Sequence, residues 1–362
     1  MNTGMMNKGG KAIFMFKPKY KYSDEMISLL TRIAAAREVI LGAPLIPRWE
    51  ISLRRDAIIR SAHSSTSIEG NNLSLEQVSD LAAGRKIMAK RKDKEEVLNY
   101  IQVLEKLDTL STNGEITEAN IKNIQKILTV NAIDDPRDCG AYRSETNKYV
   151  VVGNRLTGEI SFRPPANKEL PQLMMDYVEW LNSDKARGLD PVIMAGIAHY
   201  EFVRIHPFVD GNGRTARVIA ALILRLHGFD TKRFFCLDDY YDMDRPEYYK
   251  ALRAVHPQKR DLTHWLEYFV EGVAVSIDAV RERVVRLSTE RVRTRKKGQI
   301  ALTERQMRIV EYINKNGRMN ITDVAAMFKI SRQAALKEIS KLVLLDVVRR
   351  EGQARASYYV MR

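Results

Sequence analysis

The 362-residue chain is 45% hydrophobic and 29% charged, which is ordinary for a soluble protein able to bury a substantial core. Two cysteines, Cys139 and Cys236, exclude a disulfide framework and a four-thiolate zinc site. The chain also has no run of about 18 apolar residues to cross a membrane. The formal net charge of +14 speaks to anionic partners rather than to fold.

Residues 1 to about 22 are rich in Lys and Gly, lack sustained periodicity and read as an arm or short extended segment. Their opening, MNTGMMNKGGKAIFMF, has no apolar core followed by a small-residue cleavage site. Together with the low cysteine count, this predicts a cytoplasmic protein. From Ser23, the spacing of Met26, Leu29, Leu30 and Ile33 predicts a helix through Ile40, which Pro44 and Pro47 end. A second helix, Glu50 to about His63, turns Leu53, Ala57 and Ile58 inward. It runs into Ser64-Ser65-Thr66-Ser67-Ile68-Glu69-Gly70-Asn71-Asn72, which taken alone is a helix end.

Ser74 and Glu76 open another helical stretch, and the charge run Ala89 to Glu96 reads as a solvated helix face or loop. Val97, Tyr100, Ile101, Leu104 and Leu107 carry a helix toward the core, and Ile116 to Leu128 gives the next, ended near Asp134-Asp135-Pro136. The texture changes at Gly140. Tyr149, Val150, Val151 and Val152 are β-formers, Gly153 to Gly158 supplies a turn, and Ile160 to Phe162 is again extended, so a β-hairpin with a long loop is predicted. Two apolar helices follow, Leu170 to Leu181 and Pro191 to Arg204. The second carries a His199 that reads as structural, because zincin spacing is absent.

That helix delivers the chain to His206-Pro-Phe-Val-Asp-Gly-Asn-Gly-Arg-Thr-Ala-Arg217. Asp210-Gly211-Asn212-Gly213 can turn sharply and lets a ligand approach without meeting Cβ atoms. The good helix formers from Thr215 to Arg225 put those glycines at a helix N-terminus, where unpaired N–H groups and the helix dipole favour an anion. Arg214 and Arg217, three residues apart, point two guanidinium forks from one face. His206 suits a base near neutral pH, and Asp210 is a hard oxygen ligand for a Mg²⁺ that bridges phosphates. The set predicts phosphoryl or nucleotidyl chemistry.

The run HPFVDGNGRTAR resembles the signature of the Fic family, whose members move a nucleotide monophosphate, usually AMP from ATP, onto a hydroxyl of a target protein. The resemblance implies a mainly α protein: an all-helical core carrying a hairpin flap. It implies His206 as base, Asp210 on Mg²⁺, and Gly211, Asn212 and Gly213 cradling the α- and β-phosphates of ATP, with Phe208 an apolar anchor. Arg214 would bind phosphate, and Arg217 would alternate between the γ-phosphate and an inhibitory glutamate. Ser65 with Glu69 and Gly70 resembles that inhibitory motif. A tethered carboxylate there competes with the triphosphate for one guanidinium, and the same residue in the family also serves to remove AMP. Tyr149, Val150, Val151, Val152, Ile160 and Phe162 would form the flap that pairs with a target segment by strand addition. Tyr240, Tyr241, Tyr248 and Tyr249 resemble positions around the adenine pocket, with core packing nearly as good an account.

Asp261 to about Arg286 predicts one or two closing helices, and the basic run 291–299 reads as a linker. Beyond it, three short helices and two extended segments resemble a winged helix-turn-helix. Arg332, Gln333 and Lys337 would lie on its recognition helix, with Arg349, Arg350 and Arg355 on its wing. The expected organisation is residues 1–110 as an N-terminal helical region, 111–290 as the catalytic domain and 300–362 as the winged helix. The expected partners are ATP and a target protein with an acceptor hydroxyl. DNA on the winged helix and a homodimer stay open. The competing readings are a DNA-binding regulator that senses a nucleotide, and a Fic enzyme that removes AMP or uses another donor.

Overall fold

The computed structural model describes residues 16–144, 152–153, 160–229, 232–255, 259–295, 302–345, 347–352 and 357–361. Helices dominate. In chain order they are α1 (Asp24–Gly42), α2 (Pro47–Ile68), α3 (Leu75–Ala82), α4 (Arg91–Glu105) and α5 (Glu118–Thr129). After the two-residue strand β1 (Val152–Gly153) and β2 (Ile160–Phe162) come α6 (Leu170–Leu181), α7 (Asp184–Arg187), α8 (Pro191–Ile205) and α9 (Asn212–Leu226). Next are α10 (Asp238–Met243), α11 (Arg245–Arg253) and α12 (Thr263–Arg295). The last elements are α13 (Glu304–Asn316), α14 (Ile321–Phe328), α15 (Arg332–Leu344), β3 (Val348–Glu351) and β4 (Tyr358–Met361). None of the described helices is long and apolar enough to cross a membrane.

Two compact units result, residues 1–37, 58–231 and 235–278 in one and residues 38–57, 232–234 and 279–362 in the other. The first is built around α8, whose residues from Val192 to Phe202 are all buried, so it is apolar on every side rather than striped. α12 approaches it so closely that a Cβ on Gly196 would sit 2.8 Å from Leu266 Cδ2 and 3.0 Å from Phe269 Cδ1. Trp265 Nε1 donates to the Gly196 carbonyl at 2.7 Å across the same contact. α9 lies against α8 and α5 against α9, which places the start of α9 among three helices. Capping fixes the ends: Ser74 and Thr117 each close a capping box, and Asp190 caps α8 with Pro191 in its first turn.

The second unit has its own core of Ile309, Val310, Ile313, Met319, Val324, Ala335, Ile339, Leu342, Val348 and Tyr359, against which Ile51 of α2 packs. Thr303 and Ser331 cap α13 and α15. β3 and β4 pair antiparallel with Val348 opposite Met361 and Glu351 opposite Tyr358, and Met319 exchanges two backbone hydrogen bonds with Tyr359.

α2 departs from expectation. It does not stop near His63 but continues through the serine run to Ile68, and Gly70 ends it at φ 96°. Serine hydroxyls usually compete with helix, but here they are occupied: Ser64 Oγ donates to Asp239 Oδ1 at 2.6 Å and Thr66 Oγ1 to the Ala62 carbonyl at 2.7 Å. α12 likewise runs unbroken to Arg295, through the first five residues of the basic run.

Candidate active site

α8 ends by placing His206 in the left-handed region, φ 51° and ψ 58°, with its N–H still bonded to the Phe202 carbonyl. A non-glycine residue is uncommon there, and the imidazole is aimed by that turn. Its Nδ1 lies 3.2 Å from the Val203 carbonyl. A carbonyl can only accept, so Nδ1 carries the proton and Nε2 keeps its lone pair. Burial pushes the pKa below the ordinary histidine value, against the Val203 hydrogen bond and the Glu69 charge. His206 is therefore a neutral base at neutral pH.

The turn after it is closed from within. Asn212 Oδ1 accepts from the Phe208 N–H at 2.9 Å, and its Nδ2 donates to the Phe208 carbonyl at 2.8 Å. The amide thus shapes the loop with one donated and one accepted bond. Phe208 is wholly buried beneath, beside Phe202 and Tyr142. Gly211 takes φ 80°, and a Cβ there would come within 2.9 Å of Thr129 Cγ2 on α5. From the same helix, the buried Gln125 donates to the Asp210 carbonyl at 3.0 Å and accepts from the Gly140 N–H at 2.5 Å.

Asp210 Oδ1 accepts from the Gly211 N–H at 2.6 Å and from Arg214 Nη2 at 3.2 Å. Burial would raise its pKa, but Arg214, that N–H and Lys92 outweigh it and hold the carboxyl below the usual range. An ionised carboxylate with a 40% exposed side chain suits Mg²⁺. Among the described residues there is no group of three or more potential metal ligands, so an ion here would share Asp210 with the phosphates of a nucleotide.

Both arginines are buried, each with 2% of its side chain exposed, yet they are differently employed. Arg217 Nε donates to Ser65 Oγ at 2.6 Å, and its Nη2 donates to the Ser65 carbonyl at 2.8 Å and to Glu69 Oε1 at 2.9 Å. A second carboxylate, Asp238, lies 3.3 Å from the same Nε and also accepts from Tyr100 and Ser61. Desolvation would lower the Arg217 pKa, but Glu69 and its other neighbours drive it well above the ordinary value, so the cation is permanent. Gly213 makes room for the glutamate, because a Cβ at that position would collide with Glu69 Oε1.

Arg214 pairs with Asp210 and, at 3.5 Å, with the buried Glu96 of α4. Its Nε and Nη1 nevertheless have no hydrogen-bond partner among the described residues. Glu96 also accepts from Asn71 Nδ2 at 2.9 Å, two residues past Glu69. The sequence predicts Glu96 within a solvated charge run, yet it is buried, and no local signal distinguishes it from its neighbours. Asp238 was likewise missed.

The four tyrosines divide. Tyr241 and Tyr248 are 1% and 2% exposed and stacked 4.6 Å apart, so they offer no open face to a base and belong to the core. Tyr248 OH lies 3.2 Å from Nε2 of His199, which stacks on Trp265 and whose pKa burial lowers to about 3. His199 is thus a neutral core histidine. Tyr240 packs on Gly272, while Tyr249 is half-buried with its OH 3.4 Å from the Ile68 carbonyl, beside the inhibitory motif. Of the hairpin, Val152 faces Phe162 and Gly153 faces Ile160 in antiparallel register, with a bulge between. Tyr149, Val150 and Val151 lie outside the described residues. In the second unit Arg332, Gln333, Lys337, Arg349 and Arg350 are all exposed, and Arg355 lies outside the described residues.

A neutral histidine beside a glycine turn, the start of α9 and a carboxylate on Arg217 thus stand together. Residues 115–224 match the Fic/DOC family. The chain is homologous to protein adenylyltransferases. It is 33% identical over 180 residues to protein adenylyltransferase fic-1 of Caenorhabditis briggsae, covering 49% of this chain and 34% of the relative. With protein adenylyltransferase Fic of Nematostella vectensis it shares 29% over 234 residues, 62% of this chain and 51% of the relative. These matches span about a third to a half of the relatives' length. A crystal structure of a Fic family protein from Desulfovibrio desulfuricans has the same fold across 96% of this chain and 98% of its own, with a TM-score of 0.63 at 22% identity. Fic-1 (residues 134–508) from Caenorhabditis elegans covers 73% of each chain, with a TM-score of 0.57 at 26% identity.

Proposed function

We propose that this protein transfers AMP from Mg·ATP to a hydroxyl of a Ser, Thr or Tyr in a target protein, and that Glu69 holds it inactive. The observation that carries the reading is the Arg217–Glu69 pair beside a histidine whose Nε2 is free to take a proton. Nε2 of His206 accepts the hydroxyl proton while that oxygen attacks the α-phosphorus. The bond from the α-phosphorus to its bridging oxygen breaks, and pyrophosphate leaves. The N–H groups at the start of α9 and the unpartnered donors of Arg214 stabilise the charge that develops on the phosphates. Asp210 would hold Mg²⁺, which would supply charge neutralisation at the phosphates.

Glu69 works by occupancy, since the Arg217 Nη2 it engages is a donor that a γ-phosphate would need. Glu69→Gly should raise AMP labelling of targets or of the protein itself and strengthen ATP binding. His206→Ala in that background should lower labelling by about 10²- to 10⁴-fold. Mass spectrometry of the product with several nucleotide donors tests the donor: a mass gain other than that of AMP would overturn the assignment.

A second reading, compatible with the first, concerns the C-terminal unit. Arg318, Arg332 and Arg350 line one groove there with Tyr312 and Tyr358, and Gln333, Lys337 and Arg349 are exposed alongside. As a winged helix, this surface would set cations on DNA phosphates and bring Gln333 near base edges. Binding of duplex DNA by the whole chain, titrated against salt, tests it. No binding at low salt would reassign the module to protein docking.

A further inference from the structure

Arg143 belongs to no motif that the sequence marks, yet it is 6% exposed and its guanidinium makes four hydrogen bonds. Its Nε donates to the His206 carbonyl at 2.8 Å. Its Nη2 donates to the Pro165 carbonyl at 2.7 Å and to the Ile205 carbonyl at 3.3 Å. Its Nη1 donates to Asn167 Oδ1, and its backbone N–H to the Pro207 carbonyl at 2.9 Å. Asn167 in turn donates to the Ser144 carbonyl at 2.7 Å. One planar guanidinium thus joins the C-terminus of α8 on either side of the base to both ends of the segment that carries the hairpin.

Three physical points give this arrangement a consequence. The left-handed His206 conformation is strained for a residue with a Cβ and persists only if its surroundings over-determine it. The carbonyls that fix it are the last of a helix, which lack intrahelical partners. Arginine supplies five donors in a fixed fork, whereas lysine supplies a single point charge that cannot reach this many acceptors.

We infer that Arg143 is a positioning residue: it clamps the His206 turn and the root of the hairpin into one rigid frame, so that base and docked target hydroxyl keep their registration. The inference rests on the transfer reading above, and no phosphate contact is assigned to Arg143. Its loss should therefore act on the chemical step and on the target, and leave nucleotide binding alone.

The test uses the full chain with Glu69→Gly, where transfer is unlocked, comparing Arg143 with Arg143→Lys and Arg143→Gln. Expected is a fall in kcat of about 10²-fold, the scale of an ångström-sized misplacement. KM for target should rise, while KM for ATP and Tm stay within error in the lysine variant. A second readout needs no turnover: the His206 imidazole followed by NMR across pH. Glu69 and Asp210 raise its titration and the Arg143 charge lowers it, so Arg143→Gln should move the midpoint up. Unchanged kcat, or a parallel loss of ATP affinity, kcat and Tm, would overturn the positioning role. If the Glu69→Gly parent moves no AMP at all, the transfer reading fails instead. The clamp is then judged on the His206 titration, where an unmoved midpoint rejects it.

Discussion

Arg214 and Arg217 stand one turn apart on α9, are equally buried, and end in opposite states. Arg217 is engaged: Ser65 twice, Glu69 and Asp238 take up its Nε and Nη2. Arg214 keeps Nε and Nη1 without hydrogen-bond partners, facing only the charge of Glu96 and one oxygen of Asp210. Buried donors left unmade cost free energy, commonly about 1–3 kcal/mol each. That cost is removed when an anion arrives. On the proposed reading, Glu69 would act on one arginine while the other stays prepared, so regulation and preorganisation would be divided along a single helical turn.

The comparison can be broken in order of effect. Arg214→Ala in the Glu69→Gly background should lower kcat by about 10²- to 10³-fold, as loss of a preorganised donor does. A steady-state rate close to that of the parent would show that its unpartnered donors serve no phosphate. Gly213→Ala should expel the Glu69 carboxylate, because the new Cβ claims its place. Because the same Cβ also crowds the phosphate cradle, gel-based AMP labelling should show Gly213→Ala costing less, or gaining, in the native Glu69 chain than in Glu69→Gly. Asp238→Asn should raise KM for ATP less than Arg217→Ala does, because Asp238 steadies Nε while Nη2 carries the exchange between Glu69 and phosphate.

The pH dependence is the smallest effect and the cleanest in sign. His206 must be neutral to accept a proton, and burial lowers its pKa. The rate of Glu69→Gly should therefore be flat through neutral pH and fall only below the ordinary histidine value of about 6.5. A pH–rate profile that already declines above 7 would contradict a buried, neutral base.

What the sequence disclosed was what local chemistry encodes. The glycine turn before α9, the capped starts of α3, α5 and α15 and the apolar run of α8 depend on neighbours a few residues away, and they stand close to where periodicity set them. The continuation of α2 through Ser64 to Ile68 depends on Asp239 and Arg217, about 150 or more residues distant, so the serines looked like a terminator. Glu96 reads as one charge among seven because nothing nearby tells that Arg214 will bury it. Tyr241 and Tyr248 sit near the site in sequence but turn into the core, a choice made by His199 and Trp265. Arg143 is the limiting case: its acceptors are mostly backbone carbonyls, and carbonyls carry no sequence signal.

The Arg217–Glu69 contact spans 148 residues, and a loop of that length has a large closure entropy that one ion pair does not offset. The contact forms because the packing of α2, α8 and α9 has already brought the groups together. On the proposed reading, inhibition would be a property of the folded ensemble, lost unevenly if the end of α2 opens while the core around α8 holds. A mild denaturant should pass through a window in which the native-sequence enzyme gains activity before it loses structure. The same reasoning makes heat, partner binding and point mutations in α2 interchangeable ways of setting one local opening equilibrium.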